Sequence, residues 1–370
     1  MKLPALTPIV EKLPATVPFV GPEALERLRG RPFKARIGAN ESVFGPSPSV
    51  IKAMQEAAIG SWRYGDPENH DLKVAVAASL GITPANVTIG EGIDGLFGHA
   101  VRMFVAPGIA VASSHGAYPT FNFHVAGFGG RLVTTPYRND REDPAALLDL
   151  ARKERAKVIF FANPDNPMGS WSGAGAVSEL IRNIPDDTLL ILDEAYGEFA
   201  PPDTLPPIDV ANPQVLRFRT FSKAHGMAGV RVGYAFGEAN LIRNFDKVRN
   251  HFGVGRIAQA GALAALADKA YLTTVVGQVA VSRDRIAAIA AANGLRALPS
   301  ATNFVAVDCG GDGAFAKRIL DGLIARDIFV RMPGVAPLNR CIRISAGAPS
   351  DLAAFAEAFP GALADARANT

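Results

Sequence analysis

Six strand-length runs between residues 109 and 236 are apolar almost without interruption: 109–113, 131–135, 157–162, 188–192, 215–220 and 231–236. A strand that is apolar on both faces has to be covered on both faces. Helical segments near 118–126, 144–154 and 175–184 separate several of these runs. Strands alternating with helices predict an α/β fold, with a mostly parallel sheet of the seven-stranded type between helical layers. About ten residues join the last two runs, too few for an ordinary crossover helix. An antiparallel or irregular strand is expected there.

The rest of the chain divides around that centre. Residues 1–48 are proline-rich and irregular, apart from a short amphipathic piece at 23–29. They read as an arm lying across something larger, because Phe19, Val20 and Phe33 need burial. Helices are expected at 50–59, 70–80 and 93–105, with a short strand end at 87–89. A helical stretch follows 238 and runs to about 250, and alanine-rich helices are expected at 256–270 and 273–293. Short strands at 304–307, 328–331 and 341–345, with a helix at 313–326, predict a smaller α+β lobe. The expected domains are therefore 1–48 (the arm, with part of the small domain), 49–250 (large) and 251–370 (small). A chain of 370 residues with 48% hydrophobic content can fill two such cores.

Composition removes several function classes. Basic and acidic side chains number 38 and 35 with no cationic block or stripe, so neither nucleic acid nor membrane is an expected partner. Cys309 and Cys341 form no CxxC pair and read as reduced, partly buried thiols. The six histidines lack metal-ligand spacing, so no metal is expected. Prolines at 4, 8, 14 and 18 break any signal-type helix, and no apolar stretch reaches the roughly 18 residues of a membrane span. A soluble, cytoplasmic protein is expected.

In open α/β sheets, ligands sit beyond the carboxyl ends of the strands. Asn166 follows the run 157–162, Asp193 ends 188–192, and Lys223 follows 215–220. An amide, a carboxylate and an amine thus point toward one rim. Upstream, the turn Gly90-Glu-Gly92 closes a strand and opens a helix, so the backbone N–H groups of Gly92, Ile93 and Asp94 can cradle an anion. Each feature alone has an ordinary use as a cap or turn; together they would be a coincidence. The joint reading is pyridoxal 5′-phosphate. Asp193 would pair with the ring nitrogen, and Tyr196 and Asn166 with the ring hydroxyl. Lys223 would hold the cofactor as a Schiff base and move the substrate proton. Ser222, Arg231 and the Gly92 turn would hold the phosphate.

These motifs resemble those of the fold-type I class I and II aminotransferases, in particular the histidinol-phosphate aminotransferase branch. The likeness spans nearly the whole chain. It includes Gly38-Ala-Asn-Glu-Ser42, Arg63-Tyr-Gly-Asp66, Asn163–Gly169, Asp193–Tyr196, Ser222–Arg231, Thr302-Asn-Phe304 and Cys341–Ser345. The resemblance implies amino transfer between an amino acid (or histidinol phosphate) and a 2-oxo acid. It implies a homodimer in which Tyr64 reaches the partner's cofactor. It further implies that Arg343 binds the substrate carboxylate and Arg331 a distal group, with Asn40, Phe19 and His124 also around the substrate. Phe121 would stack on the cofactor ring. Phe19, Phe121, His124 and Met168 depart from the family's usual residues, which favours an aromatic or other amino acid over histidinol phosphate. A decarboxylase of the same fold, such as a threonine-phosphate decarboxylase, is the alternative. A regulator module would need an added DNA-binding domain, for which the chain leaves no room.

Overall fold

The computed structural model describes residues 3–15 and 19–368; expectations touching 1–2, 16–18 (Pro18 among them) and 369–370 lie outside the described residues. In chain order the strands are β1 (Ala35–Arg36), β2 (Val87–Gly90), β3 (Ala110–Ser114), β4 (Arg131–Thr135), β5 (Val158–Ala162) and β6 (Leu189–Asp193). They continue with β7 (Val215–Thr220), β8 (Gly233–Gly237), β9 (Arg296–Ala297), β10 (Phe304–Asp308), β11 (Ile328–Phe329) and β12 (Cys341–Ser345). Seven of them form one sheet in the spatial order β2-β8-β7-β6-β5-β3-β4. β7, β6, β5, β3 and β4 run parallel, and β8 is antiparallel to both its neighbours, as the short β7–β8 link requires.

The apolar runs are buried on alternate faces. Phe160, Ile191 and Phe218 pack against helices Gly92–Phe104 and Pro119–Gly127. Ile159, Phe161, Leu190 and Leu192 pack against helices Pro144–Glu154 and Ala174–Arg182. Phe97 sits at the centre of the first layer, its ring 4.8 Å from Phe218 and 5.5 Å from Phe160. Such pairs fix ring orientation as well as burying area.

A second core forms on the antiparallel sheet β12-β10-β9, covered by helices Gly313–Ala325 and Pro349–Ala368. The closing helix, Pro349–Ala368, was not anticipated in the sequence. The arm joins this unit through β1, which pairs in parallel with β11. Phe33 is buried against Phe329, 5.4 Å between rings, whereas Val20 is exposed, contrary to expectation.

The helices that follow residue 250 do not all pack with the small unit. Helix Arg256–Ala267 buries Ala258, Ala262 and Ala265 against Val50 and Val76, in a core that also holds β2 and β8 residues. The long helix Lys269–Ala292 places Val275 and Val279 in the large core and Ile286, Ile289 and Ala290 in the small one. The divide therefore falls inside that helix. An alanine-rich helix carries no compositional mark of which core it serves. Cys309 and Cys341 are free and buried, and burial pushes both thiols up to about 12.

Candidate active site

The carboxyl ends of β3, β5, β6 and β7 open onto one cavity of about 590 Å³. Lys223, Asp193, Asn166, Tyr196, Ser222 and Arg231 all line it, as do Ile93 and Asp94. The small unit contributes Arg331 and Arg343 to the wall, and the arm contributes Phe19 and Asn40. Asn166, Asp193 and Lys223 thus meet because parallel strands end together, and the arm and the small unit complete the wall.

At one end is an anion cradle. Helix Gly92–Phe104 begins at Gly92, whose φ of +78° suits glycine. A Cβ there would come within 2.5 Å of Arg231 Nη2, so a side chain would push the guanidinium out of the cradle. Arg231 Nη1 donates to the Ala228 carbonyl at 2.9 Å and to Ser222 Oγ at 3.4 Å. The Thr220 hydroxyl donates to Ser222 Oγ at 2.9 Å. A guanidinium, a hydroxyl and a helix N-terminus therefore converge, the donor set that phosphate takes.

The other groups are buried and poised. Burial pushes the Asp193 carboxyl up to about 7; the N–H of Ala195, 2.9 Å away, works against that rise. Burial lowers the Lys223 ammonium to about 8, helped by the charge of Arg343. Burial likewise lowers Arg343, to about 10, and its Nε has no partner among the described residues. Arg343 also donates to Asn166 Oδ1. The Tyr196 hydroxyl receives Asn40 Nδ2 at 3.0 Å and Asn166 Nδ2 at 3.5 Å. Arg331 lies over the Phe19 ring at 5.1 Å and donates to the Val20 carbonyl at 2.8 Å.

Two expected positions lie elsewhere, and Tyr64, expected at a partner's cofactor, lies at the surface. Phe121 is 0% exposed and stacks on Phe160 at 4.1 Å, inside the core. The aromatic ring on the cavity wall is Tyr118, at the start of the same helix, and burial pushes its phenol up to about 12. His124 is not on the wall; its Nε2 lies 3.2 Å from Asp94 Oδ1, behind the cradle. Tyr64 is 78% exposed and packs on Phe252 with rings 4.7 Å apart, outside this chain's cavity.

The sequence reading also missed Asn122 and Thr220 on the wall, and a buried network behind it. Glu194 accepts from Arg217 Nη2 at 2.6 Å and from Arg219 Nε at 2.9 Å. Two arginines at alternate positions of an apolar strand were the available signal, because such side chains need a buried partner.

A doubly wound sheet carrying a desolvated amine, an ionisable carboxyl and an anion cradle at its strand ends defines an enzyme that holds an anionic organic cofactor. The donor set fits pyridoxal phosphate on this structure's own observations. The cradle excludes a Cβ, and Asp193 is buried without an ion pair among the described residues. The family model for class I and II aminotransferases matches residues 34–359, and the chain belongs to that family. Its cofactor is pyridoxal 5′-phosphate.

The relatives are consistent among themselves. The chain is 30% identical over 346 residues to histidinol-phosphate aminotransferase of Moorella thermoacetica, covering 92% of this chain and 89% of that protein. It is 34% identical over 337 residues to histidinol-phosphate aminotransferase 2 of Ralstonia nicotianae, covering 90% of each. The crystal structure of histidinol-phosphate aminotransferase from Sinorhizobium meliloti, in complex with pyridoxal-5′-phosphate, superposes with a TM-score of 0.96 at 54% identity. That match covers 100% of this chain and 99% of that one. Thermus thermophilus aspartate aminotransferase with maleate shares the fold, at a TM-score of 0.81 and 22% identity.

The raised Asp193 carboxyl has a consequence for stability. Its unfolded value is near 3.9, so the folded chain retains a proton that the unfolded chain has released. The stability this group contributes is complete below about pH 4 and is lost as pH rises through about 7. Asp193→Asn is expected to flatten part of the cofactor-free protein's loss of stability between about pH 4 and 7, read from urea midpoints. An unaltered slope would contradict the assignment.

Proposed function

We propose that this aminotransferase exchanges the amino group between histidinol phosphate and a dicarboxylic partner of the glutamate type. The observation that carries the reading is the pair of cavity arginines. Arg343 is half-buried with a buried Nε that has no partner among the described residues, and Arg331 stands on the wall, its guanidinium bonded to a backbone carbonyl, lying over aromatic rings and drawn by the charge of Glu41. Two guanidiniums suit the phosphate next to the reacting carbon of the one substrate and the two carboxylates of the other. The relatives bearing the name histidinol-phosphate aminotransferase support the same substrate. Phe19 lacks a hydroxyl, but its ring supports Arg331 instead.

The cofactor, when bound, supplies an electron sink that stabilises negative charge at the substrate's Cα. Ser222, Arg231 and the first-turn N–H groups of Gly92, Ile93 and Asp94 would hold its phosphate. Asp193 would balance the charge at the ring nitrogen, Tyr196 and Asn166 would hold the ring hydroxyl, and Tyr118 would cover a ring face. Lys223 would carry the cofactor covalently and, once released, take the proton from the substrate's Cα. An amine whose pKa lies near 8 is free enough at neutral pH to act as that base and strong enough to accept the proton. Arg343 would orient the α-carboxylate of the glutamate-type substrate, or the phosphate of histidinol phosphate, and keep water from its place.

An exposed patch supports a homodimer. Ile59 (84% exposed), Trp62 (82%) and Tyr64 lie close together in sequence, and Phe252 packs on Tyr64. Their apolar area suits a second copy of the chain, with Tyr64 reaching the partner's cofactor phosphate. The cytoplasm is the proposed location; among the described residues no helix is long and apolar enough to cross a membrane.

Two measurements test these readings. With glutamate's oxo acid as acceptor, kcat/KM for histidinol phosphate should exceed that for phenylalanine. Arg331→Ala should lower the former ~10–100-fold and leave the latter little changed. A preference for phenylalanine, indifferent to Arg331, would overturn the substrate reading. Sedimentation velocity should give twice the chain's mass, and Tyr64→Ala should weaken cofactor affinity without dissociating the dimer. A monomer with full cofactor affinity would remove the partner role of Tyr64.

A further inference from the structure

Asn40 is held by more bonds than a loop residue needs. It adopts a left-handed backbone, φ +56°, which asparagine tolerates better than most residues. Its N–H donates to Ser345 Oγ at 2.9 Å, and its Oδ1 accepts from the Ser345 hydroxyl at 3.2 Å. Its Nδ2 donates to the Tyr196 hydroxyl at 3.0 Å. Its carbonyl accepts twice, from Asn303 Nδ2 at 3.0 Å and from Lys223 Nζ at 3.1 Å. Every polar group of the residue is used.

Asn303 gives up something to be there. It is buried and also donates to the Glu41 carbonyl at 3.3 Å, while its own Oδ1 is left without a partner. Leaving a buried amide oxygen unpaired is unfavourable, so the orientation of this side chain is imposed by the two carbonyls it serves. A carbonyl has two lone pairs. Asn303 fixes one, and the other faces the amine.

We propose that Asn303 and Ser345 are positioning residues. From the small unit they fix the Asn40 carbonyl as the acceptor that holds the Lys223 amine whenever it is free of the cofactor, so the seating of the small unit governs where that amine rests. This rests on Lys223 being the cofactor-bearing lysine. A carbonyl acceptor favours the ammonium over the neutral amine. It therefore acts with Asp193 and Glu41, and against burial, Arg343 and Arg231, the other charged groups around Nζ. The Tyr196 ring, 5.8 Å away, covers the remaining side.

The test uses the cofactor-free protein. The pH dependence of Lys223 acetylation by acetic anhydride, read by mass spectrometry of its peptide, gives the titration of that amine directly. Asn303→Ala is expected to shift the midpoint down by about one pH unit. Ser345→Ala, which deletes one hydroxyl, should shift it in the same direction and covers the case in which the first variant does not fold. A lowered melting temperature with an unmoved Lys223 midpoint would overturn the proposal and leave these residues a structural role only. Failure of borohydride to fix the cofactor on Lys223 of the unaltered protein would instead defeat the cofactor-lysine reading and leave the titration result standing.

Discussion

Burial of Asp193, with Lys223 half-buried beside it, is the constraint on which the rest of the structure depends. A carboxylate removed from water without an ion pair is unfavourable, and so is an ammonium. Their titration ranges are driven toward each other, to about 7 and about 8. Both groups are suited to a ligand that brings a cationic nitrogen to one and a carbonyl carbon to the other. The sheet makes this possible. β6 and β7 are held in register by neighbours buried on both faces, so Asp193 and the Lys223 turn have little freedom to relax.

The back of the sheet supports the same arrangement. Glu194 follows Asp193 directly and faces Arg217 and Arg219 on β7, so successive side chains of one strand end serve opposite faces. Its backbone N–H donates to the Phe218 carbonyl at 2.9 Å, and the Asp193 carbonyl accepts from Asn163 at 2.8 Å. The arginine–glutamate cluster ties β6 to β7 through side chains, and these backbone bonds fix the height of the carboxylate. The small unit closes the cavity from the other side through Arg343, Arg331 and the hub around Asn40.

Much of this was legible in the sequence, for physical reasons that differ by residue. Asn166, Asp193 and Lys223 could be placed together because polar residues at the ends of apolar strands have a fixed relation to the sheet. The antiparallel β8 followed from the length of its connection. Tyr118 was mistaken for Phe121 because both flank the same Pro119-Thr120 step, and only the packing of Phe97 and Phe160 decides which ring turns inward. The expectation of His124 at the substrate rested on the resemblance alone, and its ring instead lies against Asp94. The domain divide was hidden because helices Arg256–Ala267 and Lys269–Ala292 share one composition but serve different cores. The hub at Asn40 links positions 40, 196, 223, 303 and 345, contacts that no local pattern encodes.

The central claim is that Lys223 is the amine this fold was built to bury. Borohydride reduction of the cofactor-loaded protein, followed by peptide mapping, tests it most directly. The account predicts a single pyridoxyl group, on the peptide carrying Lys223. Recovery of that group on any other lysine would contradict it.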